Sequence, residues 1–362
     1  MSSRLKEAQA ETEAAVQKTN QKIEELGKYT QNLYVQLTTI QDLFDRIRNI
    51  PSNQKEKYEK LKKIRINWKK QVEQIQKDYN LQVGKAAGNS AAGVGMGVAV
   101  TAMAPSAAMG IATTFGVAST GTAIAELSGA AATKAALAWL GGGAIAAGGG
   151  GMAAGEVVIA FLAGPAGWII AGVALLGSGV MIALAHNEKK RLEDLFCLIS
   201  KRDTKKYQFA IVELNERIKR IKDETVKLGT AIRKIKTFGT DYRRMTEAQQ
   251  YELGAYFNLM NSSTQLLINP IKGLQPSIMR KQLLAYVGKI RRSDPGAAEM
   301  YSKHEELILS LANLLYGISM DDTDRKLLEK SMSHNKAFLK SVKLSKKEFS
   351  EGHYIELAYR VL

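Results

Sequence analysis

Few residues in this chain carry reactive chemistry, and their spacing rules out most ways of using them. Gly129-Ala-Ala-Ala-Thr-Lys134 starts like a phosphate loop but lacks the glycine before the lysine that lets backbone N–H groups cradle a phosphate. Gly141, Gly143 and Ala146 fit a degenerate dinucleotide pattern, without a convincing preceding strand or a matching acidic residue about 20 positions on. The four histidines, His186, His304, His334 and His353, are scattered without metal-ligand spacing. The single cysteine, Cys197, sits beside Leu195 and Ile199 in a helical pattern and reads as a small buried hydrophobe. No catalytic, cofactor-binding or metal-ligating set emerges, so no enzymatic activity, cofactor or metal is expected.

The charges that stand out do so by isolation. Glu126, Lys134 and Glu156 are the only ionic residues between positions 86 and 187, a stretch that holds 21 of the 31 glycines. Residues 86–125 and 157–185 are uncharged runs of 40 and 29 residues. A bilayer core about 30 Å thick asks for roughly 20 apolar helical residues. The second run, rich in Val, Ile and Leu and carrying Trp168 and Ile169, qualifies as a spanning segment. The first is mostly Ala, Gly, Ser and Thr, is broken by Pro105, and is only weakly apolar.

Small residues recur four apart in this block. Gly93 and Gly97 form a pair, Gly143, Ala147, Gly151 and Gly155 a series, and Ala163, Gly167 and Ala171 another. Such faces let helix backbones approach closely where packing drives association. Gly93, Gly97, Trp139, Gly143, Gly151, Gly155, Trp168 and Ile169 are therefore the expected insertion and packing residues. Glu126, Lys134 and Glu156 belong to the same set; Glu126 and Lys134 are expected near the far tip or along an aqueous path, since a lipid-exposed charge is costly. Lys85 precedes the block and Lys189, Lys190 and Arg191 follow it, which puts both ends on one membrane face and asks for an even number of crossings. The same glycine-rich stretch would also serve as a tightly packed core inside a soluble protein.

The elements that must position this block are charged and periodic. In residues 1–85 the spacing of Ile23, Leu26, Thr30, Leu33, Leu37, Ile40, Phe44 and Ile47 is 3-4-3-4-3-4-3. One apolar seam on a long helix results, and a seam asks for a partner. The spacing predicts a helix over 3–49, stopped by Pro51, then a second helix to about Gly84 with Leu61, Trp68, Val72, Ile75 and Tyr79 on one face. A short turn between long helices makes an antiparallel hairpin. Ile211, Leu214, Ile218, Ile221, Thr225, Leu228, Ile232 and Ile235 repeat the same spacing and predict a third long helix over 187–239. The seams can satisfy one another in an intramolecular bundle or pair with a second copy; the bundle is the arrangement expected. Pro270, Pro276 and Pro295 punctuate shorter patterns in 241–362, among them Leu307, Ile308, Leu311, Leu314 and Leu315 on one face, and 354–362 reads as a strand or a last helix.

The expected fold is thus all-α: an elongated antiparallel coiled-coil bundle, a long Gly/Ala-rich membrane-insertion segment and a small C-terminal helical module. Its divisions are 1–85, 86–187, 188–240 and 241–362. The formal net charge is +16, carried by the two flanks. Basic clusters at Lys60, Lys62, Lys63, Arg65, Lys69 and Lys70, at Arg233, Lys234 and Lys236, and at Arg291 and Arg292 would draw the chain to an anionic surface. No zinc-finger, RNA-recognition or helix-turn-helix signature points to a specific nucleic acid. Met1–Glu13 has no secretory signal, so synthesis in the cytosol followed by membrane association is expected, with release by a non-classical route as one possibility.

This order of long helices, apolar insert and long helix resembles the α-helical pore-forming toxins of the cytolysin A, haemolysin BL and non-haemolytic enterotoxin type. The resemblance is architectural, covers about two thirds of the chain and rests on no residue-level motif. It implies a soluble bundle whose hydrophobic hairpin refolds into a membrane as a homo-oligomer forms. The insert here is longer than in that pattern, and residues 241–362 are additional; they are a candidate docking module for a partner subunit. Residues 119–155 also look like a glycine-rich module of uncharacterised bacterial proteins that usually sits between coiled coils. That likeness implies a bacterial origin and an intracellular role in a defence or conflict system. From a different class, a scaffolding coiled coil that oligomerises through the glycine-rich block, or a basic coiled-coil nucleic-acid binder, would share much of this pattern.

Overall fold

The structure, a computed structural model, describes residues 3–67, 70, 184–269, 271–274 and 277–362. Helix α1 spans Ser3–Asp45 without a proline. Its seam is sequestered: Leu26, Leu33, Leu37 and Ile40 have no exposed surface, and Ile23, Phe44 and Ile47 are buried with them. The helix ends before Pro51, where Asn49 takes a positive φ of 63° that asparagine tolerates better than most residues. Residues 52–67 form α2, which turns back along α1. Tyr58 stacks on Phe44 at 5.4 Å and donates to the Gln41 carbonyl at 3.0 Å, and Lys62 pairs with Asp45 at 2.9 Å. These contacts form an antiparallel hairpin.

Helix α3, His186–Ile235, is the partner the α1 seam asks for. It runs parallel to α1, and their contacts climb together. Arg4 meets Asp194 at 2.9 Å, Thr12 meets Thr204 at 2.8 Å, and Glu25 meets Lys222 at 3.6 Å. At the top, Arg48 and Asp241 form a parallel bridge. The expectation of antiparallel pairing holds for α2 on α1 but not for the two heptad helices. A heptad defines which face is buried, not the direction of the helix that covers it. At ~1.5 Å per residue the pair forms a stalk about 65 Å long.

Thr246 and Gln249 cap α4, Glu247–Ile268, by exchanging side chain-to-backbone hydrogen bonds of 2.9 and 3.2 Å. Helix α4 descends α3, tied by Lys234–Glu252 at 2.9 Å and by Arg217, which donates to the Leu266 and Asn269 carbonyls, both at 2.9 Å. It therefore belongs to the stalk, and position 240 marks a turn of the chain where the expected C-terminal module would begin. Below it, Gly273 passes so close to α3 that a β-carbon there would sit 2.7 Å from the Ala210 Cα.

Seven short helices then wrap the foot of α3. They are α5 (Arg280–Ile290), α6 (Pro295–Lys303), α7 (Glu305–Leu315), α8 (Asp322–Ser333), α9 (Lys336–Val342), α10 (Lys346–Glu351) and α11 (Tyr354–Arg360). Helix α7 is the centre: Leu307, Ile308, Leu309, Leu311, Ala312, Leu314 and Leu315 are all buried, so it is apolar all round. The end of the chain, which reads equally as strand or helix, is helix α11.

Two hydrophobic cores result. The distal core joins α1, α2, α3 and α4; the basal core joins Leu5 and Ala8, the first turns of α3 and the seven-helix base. The described residues are helical with no strand. Among them no helix is long and apolar enough to cross a membrane.

Candidate functional site at the foot of the stalk

Most of the residues expected to insert and pack lie outside the described residues: Lys85, Gly93, Gly97, Glu126, Lys134, Trp139, Gly143, Gly151, Gly155, Glu156, Trp168 and Ile169. What is described is the point where the apolar block rejoins the framework. Leu184 is buried in the basal core beside Leu192 and Leu195. Ala185 is extended, and its N–H donates at 3.0 Å to Glu188, three residues into α3. Glu188 also pairs with Lys330 of α8 at 3.3 Å.

The three flanking cations divide into two kinds. Arg191 donates to Asp324 at 2.8 Å and to Asp321 at 2.5 Å, and Asp321 is itself the N-cap of α8. Its guanidinium therefore neutralises the acidic start of α8, and those two carboxylates hold its pKa above the usual arginine value. Lys189 and Lys190 form no ion pair with a described residue. Backbone donation from Ala185, reinforced by Lys330, lowers the Glu188 pKa. The Asp324 N–H, and then Arg191, do the same for Asp321. The re-entry of the block is thus fastened twice, by a buried leucine and by an ionic clasp between α3 and α8.

About two and a half turns beyond Arg191 lies a layer the periodicity did not reveal. Ser200, Asp203, Thr204 and Tyr207 of α3 are buried with Thr12 of α1, between the two apolar cores. The Thr12 hydroxyl lies 2.8 Å from that of Thr204 and 2.7 Å from the Ala8 carbonyl. Arg202 grips Asp203 through Nε at 2.9 Å and donates to the carbonyls of Leu314 and Tyr316 at 2.8 and 2.6 Å. It thereby ties the C-terminus of α7 to α3, a favourable place for a cation. Burial raises the Asp203 pKa against the pull of Arg202, lowers that of Lys206, and pushes that of the Tyr207 phenol well up. The Tyr207 hydroxyl is buried without a hydrogen-bond partner. The signal in the sequence was present but weak: Asp203 and Tyr207 occupy seam positions between Ile199 and Ile211.

The remaining reactive residues serve packing. Cys197 is buried in the basal core, and burial raises its thiol pKa. His304 packs edge-on against Tyr354 at 5.0 Å, and the His334 ring contacts the Lys330 carbonyl at 2.7 Å. No group of three or more metal-ligating side chains occurs among the described residues. Among the described residues the arrangement brings together no paired nucleophile and base. The chain matches no protein-family model, no curated protein and no solved structure.

Proposed function

We propose that this chain is a membrane-active, pore-forming protein of the helical toxin type, with a helical framework that carries an apolar Gly/Ala-rich block able to enter a bilayer as the protein oligomerises. The observation that carries this reading is that α1 and α3 bury each other's seams within one chain. The two heptad seams are closed on each other by described residues of one chain. Two uncharged runs of 40 and 29 residues lie between the paired helices in sequence, each long enough for a bilayer to take up. The clasp around Leu184, Glu188 and Arg191 holds the exit of the block against the base, where its release would be coupled to the base coming away from α3.

Dye release from anionic vesicles tests the reading, alongside a thermal melt of each variant. Gly151→Leu is expected to bind vesicles and fail to release dye, because a bulky side chain holds helix backbones apart. Ile169→Arg is expected to fail at insertion, since a charge at mid-bilayer costs about 2.5–3.5 kcal/mol on insertion scales. Variants that melt like the parent and release dye like it would refute the role of the block. Variants that misfold before meeting lipid would favour the scaffolding reading, with the block as a soluble core.

A further inference from the structure

A stripe along the outside of α3 is built unlike a solvated helix face. Between Leu198 and Arg220 its exposed side chains are Leu198, Lys201, Lys205, Gln208, Phe209, Val212, Asn215, Glu216, Lys219 and Arg220. At ~100° per residue these ten positions fall within an arc of about 140°, on the side facing away from the basal core. Leu198, Phe209 and Val212 are 49%, 53% and 59% exposed, a large apolar surface to leave in water. Around them stand four cations and one anion, and none of the five forms an ion pair with a described residue. The adjoining groove between α1 and α3, about 570 Å³ and lined by Ala14, Ala15 and Ile211, carries Lys18 and Glu11 together and so leaves the net charge of the stripe unchanged.

We infer that this stripe is the surface by which the protein first docks on an anionic lipid bilayer, with Phe209, Val212 and Leu198 entering the headgroup boundary and the lysines resting among the lipid phosphates. The inference rests on the membrane reading above and names the face and the lipid class. Charge complementarity selects the partner. One exposed apolar pair, Phe209 and Val212, and the separate Leu198, with cations between and beyond them along roughly 33 Å, suit a soft surface on which small apolar groups enter and cations rest. A protein partner would ask instead for a clustered, desolvated anchor. The stripe begins 14 residues after Leu184, so docking it brings the exit of the apolar block within about 20 Å of the interface.

The test uses the full chain and sedimentation with vesicles of phosphatidylcholine, alone or with a third of phosphatidylserine. Lys201→Gln, Lys205→Gln and Lys219→Gln together are expected to weaken partition onto the anionic vesicles by about 100-fold, at roughly fivefold per charge. Phe209→Ser with Val212→Ser is expected to weaken it tenfold or more with little change in salt dependence, at about 25 cal/mol per Å² of apolar surface. All five side chains are exposed, so the melts should match the parent. Lys281→Gln and Lys289→Gln on α5, with Arg291→Gln at its C-cap, remove the same charge from another face and should cost far less. Equal losses in the two triple variants would overturn the inference in favour of net charge alone. Stripe variants that bind like a binding parent would overturn it and leave the membrane reading standing. A parent that neither binds anionic vesicles nor releases dye would defeat the membrane reading itself. Retention on poly-glutamate without vesicle binding would replace the bilayer by an acidic protein partner.

Discussion

From Ile23 to Ile47 and from Leu214 to Ile235, the long helices are closed by aliphatic side chains and one phenylalanine, with Thr30 and Thr225 the only polar seam positions. Between Leu5 and Thr19, and between Leu192 and Tyr207, the same two helices meet through Thr12, Ser200 and Thr204, and the apolar cover comes from the base, where α8 packs on α3 from more than 100 residues away in sequence. The distal half holds itself together by local repetition. The basal half depends on a cap docked on the foot of α3 and on specific hydrogen bonds. The difference teaches where the molecule should open first. A polar layer between two cores is expected to give them separate cooperativity, and the basal one holds Leu184, where the apolar block rejoins the framework.

The largest expected effect comes from removing core volume in either half. Ile221→Ala in the distal seam and Leu311→Ala in the base each delete a fully buried aliphatic group, at about 2–5 kcal/mol. The comparison predicts different consequences. Leu311→Ala should speed hydrogen exchange at residues 307–315 and labelling of Cys197 while 214–235 stay protected. Ile221→Ala should lower the global melt. Equal loss of protection in both halves from either substitution would show one cooperative unit and break the comparison.

The next effect concerns the tie between halves. Arg202→Met leaves Asp203 buried with only Lys206 as a nearby cation, and the Leu314 and Tyr316 carbonyls without this donor. About 2–3 kcal/mol of basal stability should go, most of it restored by Arg202→Met with Asp203→Leu, because removing both partners spares the unpaired charge. Denaturant titration of the double-mutant cycle measures this; no recovery in the double variant would mean that Arg202 acts on the carbonyls alone. Gly273→Ala should cost roughly 1–3 kcal/mol, since its β-carbon meets backbone at Ala210 rather than a movable side chain. A melt unchanged by this substitution would place the close approach outside the folding unit.

The two halves also differ in how much of them could be read from the chain. The distal seam was legible residue by residue, because 3-4 spacing is a direct consequence of helix geometry and burial selects apolar side chains. The stop before Pro51 and the return of α2 followed from proline's missing N–H. The parallel course of α3 was not legible, because a heptad is symmetric to the direction of its partner. The basal half was largely hidden: Asp203, Tyr207 and Arg202 look like ordinary helix residues until α7 is brought against them. Leu307–Leu315 read as one apolar face yet is buried all round, since its cover comes from distant segments. Arg191, expected as a membrane flank, is engaged by Asp321 and Asp324, a pairing that only the docking of α8 on α3 reveals.

The smallest expected effect is acid weakening of the basal clasp, and its sign follows from two groups held below their ordinary pKa values. Glu188 is lowered by the Ala185 N–H and Lys330, and Asp321 by the Asp324 N–H and Arg191. Carboxylates depressed in the folded state stabilise it fully above their unfolded values, about 4.3 and 3.9, and lose that contribution as the pH falls through the folded values. Asp203 runs the other way. Burial raises its folded pKa, so proton uptake just above the unfolded value favours the folded base. The base should therefore hold its strength from neutrality down to about pH 4 and loosen below it, while the distal seam, built of side chains that do not titrate, changes little. Cys197, buried in the basal core and the only thiol in the chain, reports the opening when probed with an acid-active pyridyl disulfide. Glu188→Gln with Asp321→Asn should label faster than the parent at pH 7 and converge with it once the pH has fallen through the folded values of both carboxylates, because both proteins then lack the same charges. If the two remain apart at the acid limit of the folded state, other groups govern the acid response. If they coincide at pH 7, the clasp contributes nothing, and the foot of the stalk is held by its leucines alone.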